Sequence, residues 1–300
     1  MKLSVCIPIY NFDVNELVND LQNQIDLDQL DAEIILIDDA SKEKFIDLNK
    51  DLQTKVNQFI FLDRNIGRSK IRNLFLKYSQ SEYLLFLDCD GKIIKENFLK
   101  TYFDFIEKKN PEVIFGGRKV SAIKPSDEYG LRWKFATERE NLPVSQRLKA
   151  PYLDFQTNNF VVKKSILEIV PFNEGITQYG YEDLVFSKDL QDHQIKIDHI
   201  DNPIFNNDVE TNLVFLDKAD QSAKSLAQLI QKDKNFERVT QIKLAKAYLM
   251  MKRTGFILIY KAFYKLLKTS VTRKLLKGNA SLKVLDFYKL GQLIGYMNKR

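Results

Sequence analysis

Cysteine is nearly missing from this chain: Cys6 and Cys89 are the only two in 300 residues, each beside an apolar run. One pair specifies no disulfide framework, and a reducing compartment fits such usage. Histidine occurs only as His193 and His199, at a helix end and in a strand-like segment, where both read as structural. No apolar window reaches the ~20 residues of a membrane-spanning helix. The opening MKLSVCIPIYN carries one lysine and an apolar stretch interrupted by Pro8 and Asn11, too short for a signal peptide. These shortages together predict a cytoplasmic protein. Internal repeats, low-complexity segments and a Gly-rich phosphate loop followed by a basic residue are also missing, and the last of these argues against a sugar nucleotidyltransferase.

Apolar residues make up 44% and charged residues 29% of the chain, which excludes a disordered or collagen-like protein. At this length, two domains or one large domain with an appendage are expected. The net charge of +6 is unevenly spread. From Gln241 onward 14 Lys and Arg face the single acid Asp286, a balance of +13, which leaves −7 for residues 1–240. An acidic body of this kind argues against a nucleic-acid-binding surface, which needs positive charge to neutralise phosphates.

Short apolar runs alternate with amphipathic stretches. Leu3 to Ile9 reads as a strand, followed by Val14, Leu17, Val18, Leu21 and Ile25 at helical spacing behind the caps Asn11 and Asp13. The same alternation recurs at Glu33 to Ile37, Phe59 to Leu62 with Ser69 to Tyr78, Tyr83 to Leu87 with Asn97 to Ile106, and Val113 to Phe115. This pattern predicts an α/β fold with a mostly parallel sheet and helices on both faces. Residues 118–151 read as a loop-rich excursion. Strand-like Phe160 to Lys163 follows, then helices near Ser165 and over Glu182 to Gln191. Beyond about Thr211 the pattern becomes mainly helical, so the expected division is 1–211 and 212–300.

Ligands of such sheets bind at the carboxyl ends of the strands, where two acidic pairs stand out. Asp38-Asp39 closes the run Ile34 to Ile37; either Asp39 or Ser41 caps the next helix, or one of the carboxylates meets a ligand, such as the imide N–H of a uracil base. Asp88-Cys89-Asp90-Gly91 closes Leu84 to Leu87. Its two carboxylates point the same way along an extended segment and suit a divalent cation shared with a diphosphate. An Asp-Gly turn with solvated acids is the plainer reading.

Four motifs taken in order carry a resemblance: Ser4 to Asn11 (SVCIPIYN), Ile37 to Ser41 (IDDAS), Asn65 to Asn73 (NIGRSKIRN) and Phe86 to Asp90 (FLDCD). Over roughly its first 210 residues the chain resembles the family 2 glycosyltransferases. That resemblance implies a GT-A fold, a nucleoside-diphosphate sugar donor, often a uridine one, and Mn²⁺ or Mg²⁺. It implies that Pro8, Ile9, Tyr10, Asp38 and Asp39 cradle the base and that Gly67, Arg72 and Asn73 lie along the nucleotide. Asp88 is implied to contact ribose or metal and Asp90 to ligate the metal. From helix position alone, Arg72 would be a surface arginine.

Gln178 to Leu184 (QYGYEDL) runs a flexible Gly-aromatic stretch into an acid pair at a helix start, where acids commonly stabilise the helix dipole. The resemblance implies instead a Glu-Asp motif, Glu182 and Asp183, whose second acid acts as general base in an inverting transfer. Where relatives often carry a metal-binding histidine this chain has Asn206, a weaker ligand, with Asp208 nearby to help. A Gln-x-x-Arg-Trp motif is missing: Trp133 follows Arg132, but Tyr129 stands at the Gln position. Single-sugar transfer to a glycan or lipid-linked acceptor is therefore expected rather than processive synthesis.

In the basic tail Phe256, Ile259, Tyr260, Phe263 and Leu267 share one helical face and Lys261, Lys265 and Lys268 the opposite one. Such a helix either packs its stripe into a core or holds the chain to the anionic inner face of the cell membrane through residues 241–300. The alternatives to an enzyme are a degenerate protein that holds nucleotide-sugar without turnover, which Asn206 favours, and an adaptor acting on membrane or RNA through its tail.

Overall fold

The computed structural model describes residues 2–176, 179–206, 210–232 and 239–298. They form two compact units: Met1–Ser121, Glu140–Thr177 and Glu182–Asp208 in one, Ala122–Arg139, Gln178–Tyr181 and Val209–Arg300 in the other.

The first unit follows the alternation read from the sequence. Strand β1 (Leu3–Ile9) leads to helix α1 (Asn15–Asp28), β2 (Ala32–Asp38) to α2 (Glu43–Asn49), β3 (Gln58–Phe61) to α3 (Arg68–Tyr78), and β4 (Tyr83–Leu87) through the two-residue β5 (Gly91–Lys92) to α4 (Phe98–Lys109). Next come β6 (Val113–Phe115) and β7 (Arg118–Lys119). The excursion expected after them belongs to the second unit through α5 (Gly130–Phe135) and all but the last residue of a π-helical turn over Ala136–Glu140, and to the first unit again at α6 (Val144–Arg147). It is more ordered than its Gly, Pro and polar content suggested. Strand β8 (Asn159–Lys163), α7 (Lys164–Ile169), α8 (Glu182–Asp192), β9 (Ile197–His199) and β10 (Ile204–Asn206) complete the unit.

The main sheet has the order β3-β2-β1-β4-β8-β6-β9. Its pairings are parallel except at β8, which runs antiparallel to both β4 and β6. Side chains alternate between faces with the period of two that a strand imposes. Val5, Ile7, Ile34, Leu36 and Leu85 pack on one face with Leu17, Val18 and Leu21 of α1 and Leu99, Tyr102 and Ile106 of α4. Cys6, Ile35, Ile37 and Phe86 pack on the other with Ile71 and Phe75 of α3 and Phe186 and Leu190 of α8. The second face is aromatic: Phe172 stacks on Phe186 at 4.1 Å and Phe86 on Phe160 at 5.0 Å. Both cysteines are free thiols.

A second sheet, β5-β10-β7, sets Asn206 opposite Gly91 in antiparallel register. A methyl group at Gly91 would lie 2.3 Å from Ile204 Cδ1 and 3.1 Å from the Asp88 carbonyl, so only glycine permits this close approach.

The C-terminal part of the second unit is helical, as expected: α9 (Asn212–Lys232), α10 (Lys243–Thr254), α11 (Ile257–Leu276) and α12 (Leu282–Met297). Leu216, Leu275, Leu285 and Tyr288 form one cluster of its core, and Leu226, Tyr248, Leu293 and Ile294 another. No helix among the described residues is long and apolar enough to cross a membrane.

Candidate functional site

Three strand ends converge through short connections. Asp39 N–H donates to the Ile9 carbonyl at 2.8 Å, joining the ends of β1 and β2. Asn11, in the left-handed region at φ 54°, accepts from the Lys42 N–H with its side chain and donates its backbone N–H to Ser41 Oγ. Tyr10 projects from this turn with 53% of its surface exposed, while Ile9 is buried and Pro8 partly so.

The two acids closing β2 do different work. Asp38 is buried; its Oδ1 accepts the Ser41 N–H at 2.7 Å, and its enclosed Oδ2 has no partner. Asp39 reaches the loop before α3, where its two oxygens accept the N–H groups of Ile66 at 2.6 Å and Gly67 at 3.0 Å. Burial raises its pKa, opposed by those two bonds and assisted by the neighbouring Asp38 charge. Neither acid caps α2 directly, and Asp39 spans 27 residues to fix the loop at which α3 begins. Gly67, at φ 85°, opens that helix in a conformation that disfavours a Cβ.

Arg72 is buried rather than on the helix surface. Its Nη2 donates to Asp88 Oδ1 at 2.9 Å, its plane lies over the Phe172 ring, and its Nε and Nη1 lack partners. Asn73 is committed locally: it donates to the Phe172 carbonyl and Glu174 and accepts the Phe172 N–H at 2.8 Å. Asp88 sits at the end of β4 with its side chain 40% exposed. Asp90 accepts from Asn206 Nδ2 at 2.7 Å. Between these acids Cys89 has its thiol pushed up to about 12, first by burial and then by the charges of Asp90 and Asp88.

Glu182 and Asp183 occupy the first turn of α8, favourable for acids by the helix dipole; Glu182 is buried and Asp183 half-buried. Glu182 Oε1 pairs with Arg68 at 3.0 Å, and its buried Oε2 has no partner. Asp183 accepts from Thr157 twice, from the hydroxyl at 2.6 Å and the backbone N–H at 3.3 Å. Its pKa is raised to about 6, chiefly by burial and then by Glu182, with Arg72 and Thr157 opposing and Asp88 adding. Asp183 thus shares an electrostatic environment with the end of β4, 95 positions earlier in the chain.

Thr157 and Arg68 were not singled out in the sequence. Arg68 lies inside the quoted NIGRSKIRN segment, whereas nothing local marks Thr157. Also unannounced is a buried frame: Asn159 donates to the carbonyls of Gly117 and Asn202, and Arg147 donates to that of Ile200 at 2.9 Å. His199 is structural, as expected; Nε2 meets the Pro151 carbonyl, and burial with the Arg147 charge lowers its pKa to about 4. Gln178, Asn207 and Asp208 lie outside the described residues.

The donor set can be tested against a metal. Among the described residues no three His, Cys, Asp or Glu side chains gather as a metal cluster. Among the described residues Asp88 and Asp90 offer two carboxylates just beyond the end of β4. That set does not make an all-protein cage, but it suits Mn²⁺ or Mg²⁺, which commonly takes one or two carboxylates and completes its shell with phosphate oxygens and water.

The sequence profile described as Glycosyl transferase family 2 matches residues 4–176, more than half of the chain. The chain belongs to that family. This family 2 chain is 31% identical over 124 residues to a poly(ribitol-phosphate) beta-glucosyltransferase of Bacillus spizizenii, covering 40% of this chain and 19% of that protein. It is 34% identical over 118 residues to the poly(ribitol-phosphate) beta-N-acetylglucosaminyltransferase TarS of Staphylococcus aureus, covering 38% of this chain and 20% of TarS. These matches span about a fifth of either relative. A cholesterol galactosyltransferase of Borreliella burgdorferi is 24% identical over 255 residues, 77% of this chain and 68% of that one. Among solved structures, residues 1–349 of S. aureus TarS superpose with a TM-score of 0.52 at 20% identity, covering 97% of this chain and 90% of that one. A Pyrobaculum calidifontis mannosyltransferase in complex with GDP-Man and Mn²⁺ superposes with a TM-score of 0.60 at 14% identity, covering 99% and 87%. The fold of this family 2 chain is accordingly GT-A.

Proposed function

We propose that the protein is an inverting glycosyltransferase that moves one sugar from a nucleoside-diphosphate sugar, first among them a UDP-sugar, to a hydroxyl of a glycan or lipid-linked acceptor. Asp183 carries this reading, as a half-buried carboxylate held by Thr157, with its pKa raised to about 6 in the electrostatic reach of the acids and arginine around Asp88. A base that ionises close to neutrality suits proton removal from an alcohol, which contributes roughly 10² to 10⁴ in rate. Thr157 holds both of its oxygens, and Arg68 ties down the neighbouring Glu182.

In the proposed step the acceptor oxygen attacks the anomeric carbon as its proton passes to Asp183. The bond to the diphosphate breaks, and its electron pair leaves with that group. A single base facing the departing diphosphate gives inversion, and the beta linkages in the names of the relatives from B. spizizenii and S. aureus support this. Asp88 and Asp90 would hold Mn²⁺ or Mg²⁺, which supplies positive charge to the diphosphate. Asn206 would orient Asp90 or join it as a ligand. Pro8, Ile9, Asp38, Asp39 and the exposed ring of Tyr10 form the base cradle in this reading, with Gly67, Arg72 and Asn73 toward the phosphates. Residues 1–211 then carry donor binding and catalysis, and residues 241–300 meet an anionic membrane surface from the cytoplasmic side.

The deciding experiment titrates UDP calorimetrically into the chain with and without Mn²⁺, beside Asp90→Ala and an assay of transfer. Binding that needs both metal and Asp90, with turnover, supports the reading. Metal-dependent binding without turnover by any donor identifies the degenerate alternative. An α-linked product from an α-linked donor removes inversion.

A further inference from the structure

Helix α11 does not bury the stripe that its sequence offers. Tyr264 is buried and Tyr260 half-buried, the two packing on Phe287 of α12 at 5.6 and 5.1 Å. Phe256, Ile259, Phe263 and Leu266 remain 57%, 55%, 59% and 80% exposed. At ~3.6 residues per turn, these four lie on one side of the outward face of the helix, and Lys261, Lys265 and Lys268 lie on the other. No lysine of this stripe pairs with a carboxylate among the described residues.

The lysine stripe borders a cavity of about 630 Å³ between α11 and α12. Tyr264 forms part of its wall, and Gly291 and Gly295 open it. A methyl group at Gly291 would collide with the Tyr264 ring at 2.3 Å, whereas one at Gly295 would meet nothing within 4 Å. Among the described residues the one carboxylate lining it, Asp220, is occupied by Gln292 and by the Tyr296 hydroxyl. Cationic rim, aromatic wall and apolar flank thus occur on one helix.

We propose that α11 lies in the headgroup layer of an anionic membrane, its exposed apolar flank among the acyl chains and the cavity beneath Lys261, Lys265 and Lys268 taking a phosphate-bearing lipid headgroup. This rests on the membrane-surface reading of the C-terminal region and adds to it a specific site. Charge selects the occupant. Residues 241–300 carry +13 and their only acid, Asp286, is bonded to Arg139, so a second copy docking through the same region would bring like charge to this face while an anionic bilayer brings the opposite. Exposed Leu, Ile and Phe suit acyl chains rather than the phosphates of a nucleic acid.

The test floats the full chain with vesicles of phosphatidylcholine alone and of phosphatidylcholine mixed with phosphatidylglycerol, at low and high salt, while UDP binding is measured separately. Binding to the anionic vesicles only, weakened by salt, is expected. At about 1 kcal/mol for each basic residue, combining Lys261→Glu, Lys265→Glu and Lys268→Glu weakens it by at least ~10²-fold. Gly295→Phe, which fills the cavity from a position without neighbours, removes the preference for phosphatidylglycerol over an equal surface charge of fatty acid and leaves UDP binding intact. Equal binding to neutral vesicles, no effect of Gly295→Phe, inhibition by free phosphate at millimolar levels, retention by single-stranded RNA but not vesicles, or a salt-resistant dimer would each overturn the proposal. Loss of UDP binding with vesicle binding intact strikes the transferase reading instead.

Discussion

At the carboxyl ends of β1, β2 and β4 every named acid has a partner, from the 2.6 Å bond between Asp39 and Ile66 to the 2.9 Å pair of Arg72 with Asp88, whereas among the described residues the lysine stripe of α11 pairs with no carboxylate. The two regions also divide the apolar residues differently. Beneath the strand ends Phe86, Phe160, Phe172 and Phe186 are enclosed; on α11 Phe256 and Phe263 face outward. One region has its charges fixed by the fold, which suits the proposed catalysis because no reorganisation is then needed during reaction. The other leaves charge and apolar surface for something outside the chain.

The largest expected effect falls on the fixed region. Asp183→Asn should lower kcat by roughly 10² to 10⁴ while metal-dependent UDP binding survives, measured by transfer assay beside calorimetry; equal loss of both would make Asp183 a binding residue. Phe172→Ala should cost about 3–5 kcal/mol in denaturant unfolding, since it removes the stack on Phe186 and the ring under Arg72. Gly91→Ala should cost about 1–3 kcal/mol and separate Asn206 from Asp90, seen as weaker metal dependence of UDP binding.

The acidic pH limb sharpens the contrast further. Because burial raises the pKa of Asp183 to about 6, kcat/KM should rise up to tenfold per unit as pH increases toward 6 and level off above it. The sign for stability is opposite: the folded state holds this proton more tightly than the unfolded one, so this group's contribution falls between about pH 4 and 6. In Asp183→Asn that component of the pH dependence should vanish. The smallest effect belongs to a pair elsewhere in the second unit, where Arg139→Ala breaks the half-exposed contact with Asp286 and should shift stability by less than about 1 kcal/mol.

Much of the first unit was legible because strand and helix periods differ and the apolar runs were clean. The reading of Tyr83 to Leu87 coincides with β4, and that of Leu3 to Ile9 with β1. The acids at strand ends were legible for the same reason, since a polar residue closing a buried strand has to be held by something. The antiparallel insertion of β8 was not, because Phe160 to Lys163 carries no mark of direction. The ordered turns within 118–151 were hidden by a composition that suits loops equally well.

Sequence alone determined the alternation of elements, the family, the charge imbalance and which side chains could do chemistry, all of which depend on residues near one another along the chain. Tertiary structure alone decided that Asp183 reaches Thr157 and feels Arg72, that Arg72 is buried rather than solvated, that Asn206 meets Asp90, and that the apolar stripe of α11 stays outside the core. These are pairings between residues tens of positions apart, and burial and proton affinity are properties of such pairings rather than of any local run.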